Sequence, residues 1–136
     1  MIELVTVKEH DVDILLKLYD KYDEHRDAIL WFLSELRAQD YPEFKKKYPP
    51  TSNERIHFTT VCGFFEFSGL LVNKGLLNGD LYLDAFNVSP FWLKAKSIIK
   101  GMRHERPRIY ENFELLHMRR LKWVKKHPPK IKSSSQ

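Results

Sequence analysis

A chain of 136 residues, 43% hydrophobic and 13% aromatic, can bury one core without staples and points to a single domain. Its net charge of +5 is polarised: residues 1–40 carry 5 Lys/Arg against 10 Asp/Glu, residues 41–93 carry 5 of each, and residues 94–136 carry 13 against 3. A single cysteine, Cys62, excludes an intramolecular disulfide; no uncharged run reaches the roughly 18 residues of a membrane span, and the start of the chain lacks the basic-then-apolar order of an export signal, so the expected location is cytoplasmic.

Apolar residues recur from Val12 through Leu15, Tyr19, Tyr22, Ile29 and Leu33 to Leu36 at spacings of three and four, with Arg26 intruding on the series. This predicts one long amphipathic helix over about 8–39. Pro42 opens a short helical turn, and Pro49-Pro50 ends that connector. A central helix is expected over 52–74, capped by Thr51 or Ser52 and stopped by Gly75. Asn78-Gly79-Asp80 marks a turn into a short helix near 80–86. Ser89-Pro90 reads as N-cap and first residue of a helix to about His104, with Phe91, Trp92, Ala95, Ile98, Ile99 and Met102 inward. The last helix is expected over 108–126, burying Ile109, Phe113, Leu116 and Trp123, and Pro128-Pro129 breaks it. Residues 128–136 read as a disordered basic tail. No β-alternation extends beyond Leu4-Val5-Thr6-Val7, so the fold class is all-α: a compact bundle of four main helices with short linking helices, filling a single domain over 1–127.

Glu66 lies inside Val61-Cys62-Gly63-Phe64-Phe65-Glu66-Phe67-Ser68-Gly69-Leu70-Leu71-Val72, a run apolar nearly all round and hence central. A carboxylate there must find a cationic partner, be held neutral by desolvation, or bind something. Arg26 and Arg103 are the guanidiniums expected to pair with Glu66 and Glu114 at helix crossings; truncating a paired Glu66 would strand its cation at a cost of roughly 3 kcal/mol.

Phe64-Phe65-Glu66, Gly69-Leu70-Leu71, Gly75-Leu76-Leu77, Trp92, Arg103 and Tyr110-Glu111-Asn112-Phe113-Glu114 form a pattern over roughly the last two thirds of the chain. It resembles the signature of an uncharacterised prokaryotic helical family, a domain of unknown function. The resemblance implies a helical domain and carries no catalytic assignment.

Three chemistries compete. Glu54-x-x-His57 and Glu114-x-x-His117 each put a carboxylate and an imidazole on one helix face, the pairing used by carboxylate-bridged metal sites in four-helix proteins. The bland reading is that Glu54 completes a capping box with Thr51. Lys45, Lys46 and Lys47, with Arg119, Arg120, Lys122, Lys125 and Lys126, supply a basic face suited to weak, non-specific nucleic-acid binding, although Asp80 and Asp84 make a recognition helix after Gly75 unsuitable. The same charges can instead neutralise the acidic first helix within the bundle. Ser68 lacks a nucleophile elbow, Cys62 lacks a basic neighbour, and the five glycines build no phosphate cradle; Gly63 and Gly69 read as sites of close helix contact. The expectation is a non-catalytic intracellular interaction module without a cofactor, binding a protein partner or its own copy.

Overall fold

Seven helices account for the secondary structure of residues 6–132, the part of the chain described by the computed structural model; there is no strand among them. The Leu4-Val5 half of the N-terminal β-fragment and residues 133–136 of the expected tail lie outside the described residues.

The expected first helix is two helices, α1 (Glu9–Glu24) and α2 (Arg26–Ser34), broken at His25. No proline or glycine causes the break, and the two pieces use different inward faces. On α1, Asp11 and Leu18 are buried and Ile14, Leu15 and Tyr22 pack against the core; on α2 it is Ala28, Ile29, Trp31 and Phe32. Val12, Tyr19 and Leu33, taken from spacing as core positions, are exposed. A single periodic stripe drawn across the pair fails because the chain turns at His25 to lay α2 against α4 and α6.

The α3 helix (Tyr41–Lys47) starts at Asp40, whose side chain accepts from the Glu43 N–H, and carries Pro42 in its first turn. The α4 helix (Asn53–Asn73) is capped by Ser52, which accepts from the Arg55 N–H. Glu54 is therefore the second residue of the helix rather than the third, and the expected capping box with Thr51 does not form. At its other end Gly75 has φ +74; the Gly75 N–H bonds Val72 O and the Leu76 N–H bonds Leu71 O, a left-handed stop of the Schellman type. The α5 helix (Gly79–Ala85) is capped by Asn78. The α6 helix (Ser89–Met102) buries all six of its expected residues, and α7 (Glu111–Lys126) buries Phe113, Leu116 and His117, leaving Ile109 and Trp123 half-buried. Ser89 does not cap α6: its hydroxyl lies 2.9 Å from His117 Nδ1.

The core forms around α4, which packs on α7 along one side and α2 along another; α6 closes against α7, α2 and α3, and α5 bridges α4 and α7. Aromatic rings in tilted, stacked and edge-on pairs fill the centre, among them the tilted pairs Phe44–Phe58 at 4.5 Å and Phe65–Phe91 at 4.6 Å. The α1 helix makes no packing contact of comparable extent.

Candidate functional site

Glu66, Gly69, Trp92, Arg103 and Tyr110 to Glu114 of the sequence pattern converge on the N-terminus of α7. Helix N-termini leave backbone N–H groups without intrahelical partners, and α7 cannot cap itself, because its N-cap Tyr110 has φ +55 and no side-chain acceptor in place. Glu66 supplies the acceptor from the neighbouring helix: Oε1 accepts from the Phe113 N–H at 3.0 Å and Oε2 from the Asn112 Nδ2 amide at 2.9 Å. Three residues on, Gly69 lets the backbones meet; a Cβ there would stand 2.4 Å from the Asn112 carbonyl oxygen. The carboxylate also sits at the positive end of the α7 dipole.

Asn112 is the first relay of a longer chain. Its Oδ1 accepts from Asn73 Nδ2 at 3.0 Å, and Asn73 Oδ1 accepts from Arg119 Nε at 2.7 Å. Because a carboxylate only accepts and a guanidinium only donates, both amide orientations follow from the two ends. A polarised line, Arg119 to Asn73 to Asn112 to Glu66, thus runs along the α4–α7 interface.

Arg103 fixes the turn that leads into α7. It donates to Ile109 O at 3.1 Å and Tyr110 O at 3.3 Å, pairs with Glu114 at 2.5 Å, and lies 5.8 Å from the centre of the Trp92 ring. Trp92 in turn meets Phe113 edge-on at 5.2 Å. The left-handed backbone at Tyr110 is costly for a residue with a Cβ, and this clamp offsets the cost together with the burial of the Tyr110 ring, which pushes its phenol pKa up.

Glu114 and Arg103 therefore form the expected ion pair, whereas Glu66 and Arg26 do not. Arg26 bonds Asp23 at the surface, and Glu66 is satisfied by neutral donors. The Glu-x-x-His residues stay apart: Glu114 is held by Arg103, His117 by Ser89, and the His57 ring lies 5.9 Å from Trp31. Among the described residues, Glu54, His57, Glu114 and His117 belong to no cluster of three or more His, Cys, Asp or Glu suited to a metal ion.

The basic residues also disperse. Lys45, Lys46 and Lys47 are on α3, which packs on α6; Lys47 donates to Arg37 O, and Lys45 lies 4.5 Å from the Tyr41 ring centre. On α7, Arg119 is engaged by Asn73 and Arg120 by the Leu83 and Phe86 carbonyls, leaving Lys122, Lys125 and Lys126 exposed. The basic end reaches α5 rather than the acidic α1: Lys130 pairs with Asp84 at 2.6 Å, and the His127 ring lies 3.3 Å from Asp80. Residues 128–131 of the expected tail are thereby placed beside α5.

Spacing gave no notice of Asp11, which is 4% exposed. It accepts from the Lys8 N–H and the Asn78 N–H, both at 2.8 Å, tying the start of α1 to the α4–α5 turn; these bonds, the Lys8 one foremost, lower its carboxyl pKa. Its one sequence signal is its place three residues after the helix-opening Lys8.

An apolar surface also lies open beside α4. Between α1 and α4 runs a groove of about 530 Å³ lined by Ile14 and Leu18 on one wall and Thr60, Phe64, Phe67 and Leu71 on the other, with Lys17, Lys21 and His25 along the α1 rim. Phe67, in mid-α4, is 55% exposed. The sequence marked α4 as apolar all round; α1 lies beside its second face without covering it.

Cys62 is wholly buried, and burial raises its thiol pKa well above the usual value, keeping it protonated at neutral pH. No helix among the described residues is long and apolar enough to cross a membrane. No curated protein and no solved structure shows significant similarity to the chain. A family profile does match, over residues 9–123, which takes in all seven helices except the last turn of α7. The pattern that builds the α7 cap lies within that match, and the chain belongs to the family described as a domain of unknown function, DUF4760.

Proposed function

We propose that this domain is a non-catalytic intracellular interaction module whose binding surface is the groove between α1 and α4, and that its occupant is a helix of a protein partner. The observation that carries this reading is Phe67: a large aromatic, 55% exposed on the longest helix, in a groove whose floor is shared by Ile14, Leu18, Phe64 and Leu71. Helix-in-groove recognition uses such a surface, with anchors at i, i+3 or i+4, and i+7. The polar features elsewhere are occupied in holding α7 and α1, so they act as scaffold. The single buried cysteine suits a reducing compartment.

Panning a displayed library of three-turn helices against the wild type, with Phe67→Glu as the counter-target, tests this. The expected result is enrichment for the wild type alone, with NMR shifts on binding at Ile14, Phe64, Phe67 and Leu71. Enrichment indifferent to Phe67→Glu would end the reading.

A second reading rests on the far half of α7, where Lys122, Lys125 and Lys126 are exposed and no acid follows Glu114. It is a non-specific nucleic-acid contact, in the range of about 10⁻⁴ to 10⁻⁶ M at physiological salt. Anisotropy titration against a Lys122, Lys125 and Lys126 to Ala variant tests it; equal binding by both proteins rejects it.

A further inference from the structure

The charges on the groove select its occupant. Lys17, Lys21 and His25 follow one another every four residues, so they stand about 6 Å apart along one side of α1. The groove itself runs from Ile14 to His25 on α1 and from Thr60 to Leu71 on α4, about 16 Å on either wall. Lys17 and Lys21 thus place positive charge along the middle of the α1 side, and the His25 ring stands at the far end.

No lining residue is acidic. Glu24 bonds Lys21 at 3.3 Å, with both side chains more than half exposed, a pair weak enough to exchange for another carboxylate. Asp13 and Asp20 are exposed and point further round α1, away from the groove.

An anionic amphiphile with a single head group would meet one lysine and leave the other to Glu24 or to water. A helix carrying an apolar stripe and an acid on successive turns of one flank meets both lysines, in the manner of flanking charges beside a coiled-coil seam. Resting on the groove reading above, we infer that the partner helix is an acidic amphipathic one, about three turns long, with its Asp or Glu residues on the side facing α1.

The test takes a peptide enriched on the wild-type groove and makes two sets of changes: Lys17→Glu with Lys21→Glu in the protein, and acid-to-Lys on one flank of the peptide. Both lysines are exposed, so the protein variant keeps its fold, which circular dichroism and melting check directly. Enriched peptides are expected to carry an excess of Asp and Glu on one flank. Either set of changes alone should weaken binding about tenfold at low salt, and the two together should restore it to within about threefold, because the ion pairs reform with reversed polarity. Enrichment of neutral or basic helices, or additive losses without rescue, overturns the acidic assignment while leaving the groove reading standing. Absence of any groove-dependent enrichment removes both. Dodecanoate is the competing probe: displacement of the peptide by dodecanoate, with binding of that fatty acid lost in the Lys17→Glu, Lys21→Glu protein and no effect of peptide charge, would assign the groove to a lipid-like anion instead.

Discussion

At the scale of single residues, Glu66 shows how a half-buried carboxylate can serve a fold without an opposite charge. Its two oxygens do the work of an N-cap that Tyr110 cannot do. Truncation leaves two donors unpaired but strands no cation, so Glu66→Ala should cost about 1–2 kcal/mol in urea denaturation, below the roughly 3 kcal/mol expected for a broken buried ion pair. Glu66→Gln, which keeps one carbonyl acceptor, should cost less; a loss well above 3 kcal/mol for Ala would point to a charge partner after all. His117 makes a second prediction. Burial, acting first, lowers its pKa; Glu114 opposes this and Lys96 adds to it. The folded protein therefore takes up the proton less readily than the unfolded chain. Above pH 6.5, the ordinary value, both forms are neutral and nothing is lost; as pH falls below it the unfolded state gains a proton first and stability declines until the folded pKa is passed. Melting curves from pH 7.5 to 5 should show that decline, and His117→Asn, which keeps a polar partner for Ser89, should flatten it.

At the scale of elements, glycines of similar standing in the sequence have opposite roles. A Cβ on Gly69 would meet the Asn112 carbonyl oxygen and one on Gly101 the Tyr41 Cβ, each at 2.4 Å, whereas one on Gly63 would meet nothing within 4 Å. The α4–α7 and α3–α6 crossings depend on the first two. Gly63→Ala should stabilise the protein by about 0.5–1 kcal/mol through helix propensity, whereas Gly69→Ala and Gly101→Ala should each destabilise it by about 1–3 kcal/mol as the helices are forced apart. Equilibrium unfolding of the three variants checks the signs, and a stabilised Gly69→Ala would show that α7 is free to slide on α4.

At the scale of the whole molecule, stability is unevenly distributed. The α4 and α7 helices share the core, the cap and the amide relay, while α1 buries only Asp11 and Leu18 and is tied at its start by Asp11 to the Asn78 N–H. Amides of α1 should therefore exchange with deuterium by local opening well before those of α4. Equal protection in the two helices would make α1 part of the cooperative core and the groove a fixed crevice. Early exchange would make it an adjustable wall, as a surface that admits a partner helix requires.

Periodicity, capping residues and proline positions are local, and from them the sequence by itself determined the all-α class, the extents of α4 and α5 to within a residue or two, the Gly75 stop and the complete inner face of α6. The Arg103–Glu114 pair was legible only in part: residue type marks both as groups that seldom go unpaired when partly buried, but does not say which arginine meets which carboxylate. What joins distant segments was not legible. The break at His25 carries no helix-breaking residue and arises from where α2 must lie. The donors that satisfy Glu66 come from a helix 46 and 47 residues away, and a backbone N–H has no signature in the side-chain sequence. The open groove likewise arises from how far α1 stands off α4. Residue type and spacing specify which faces are apolar, but only the packing of the helices decides which of those faces is covered.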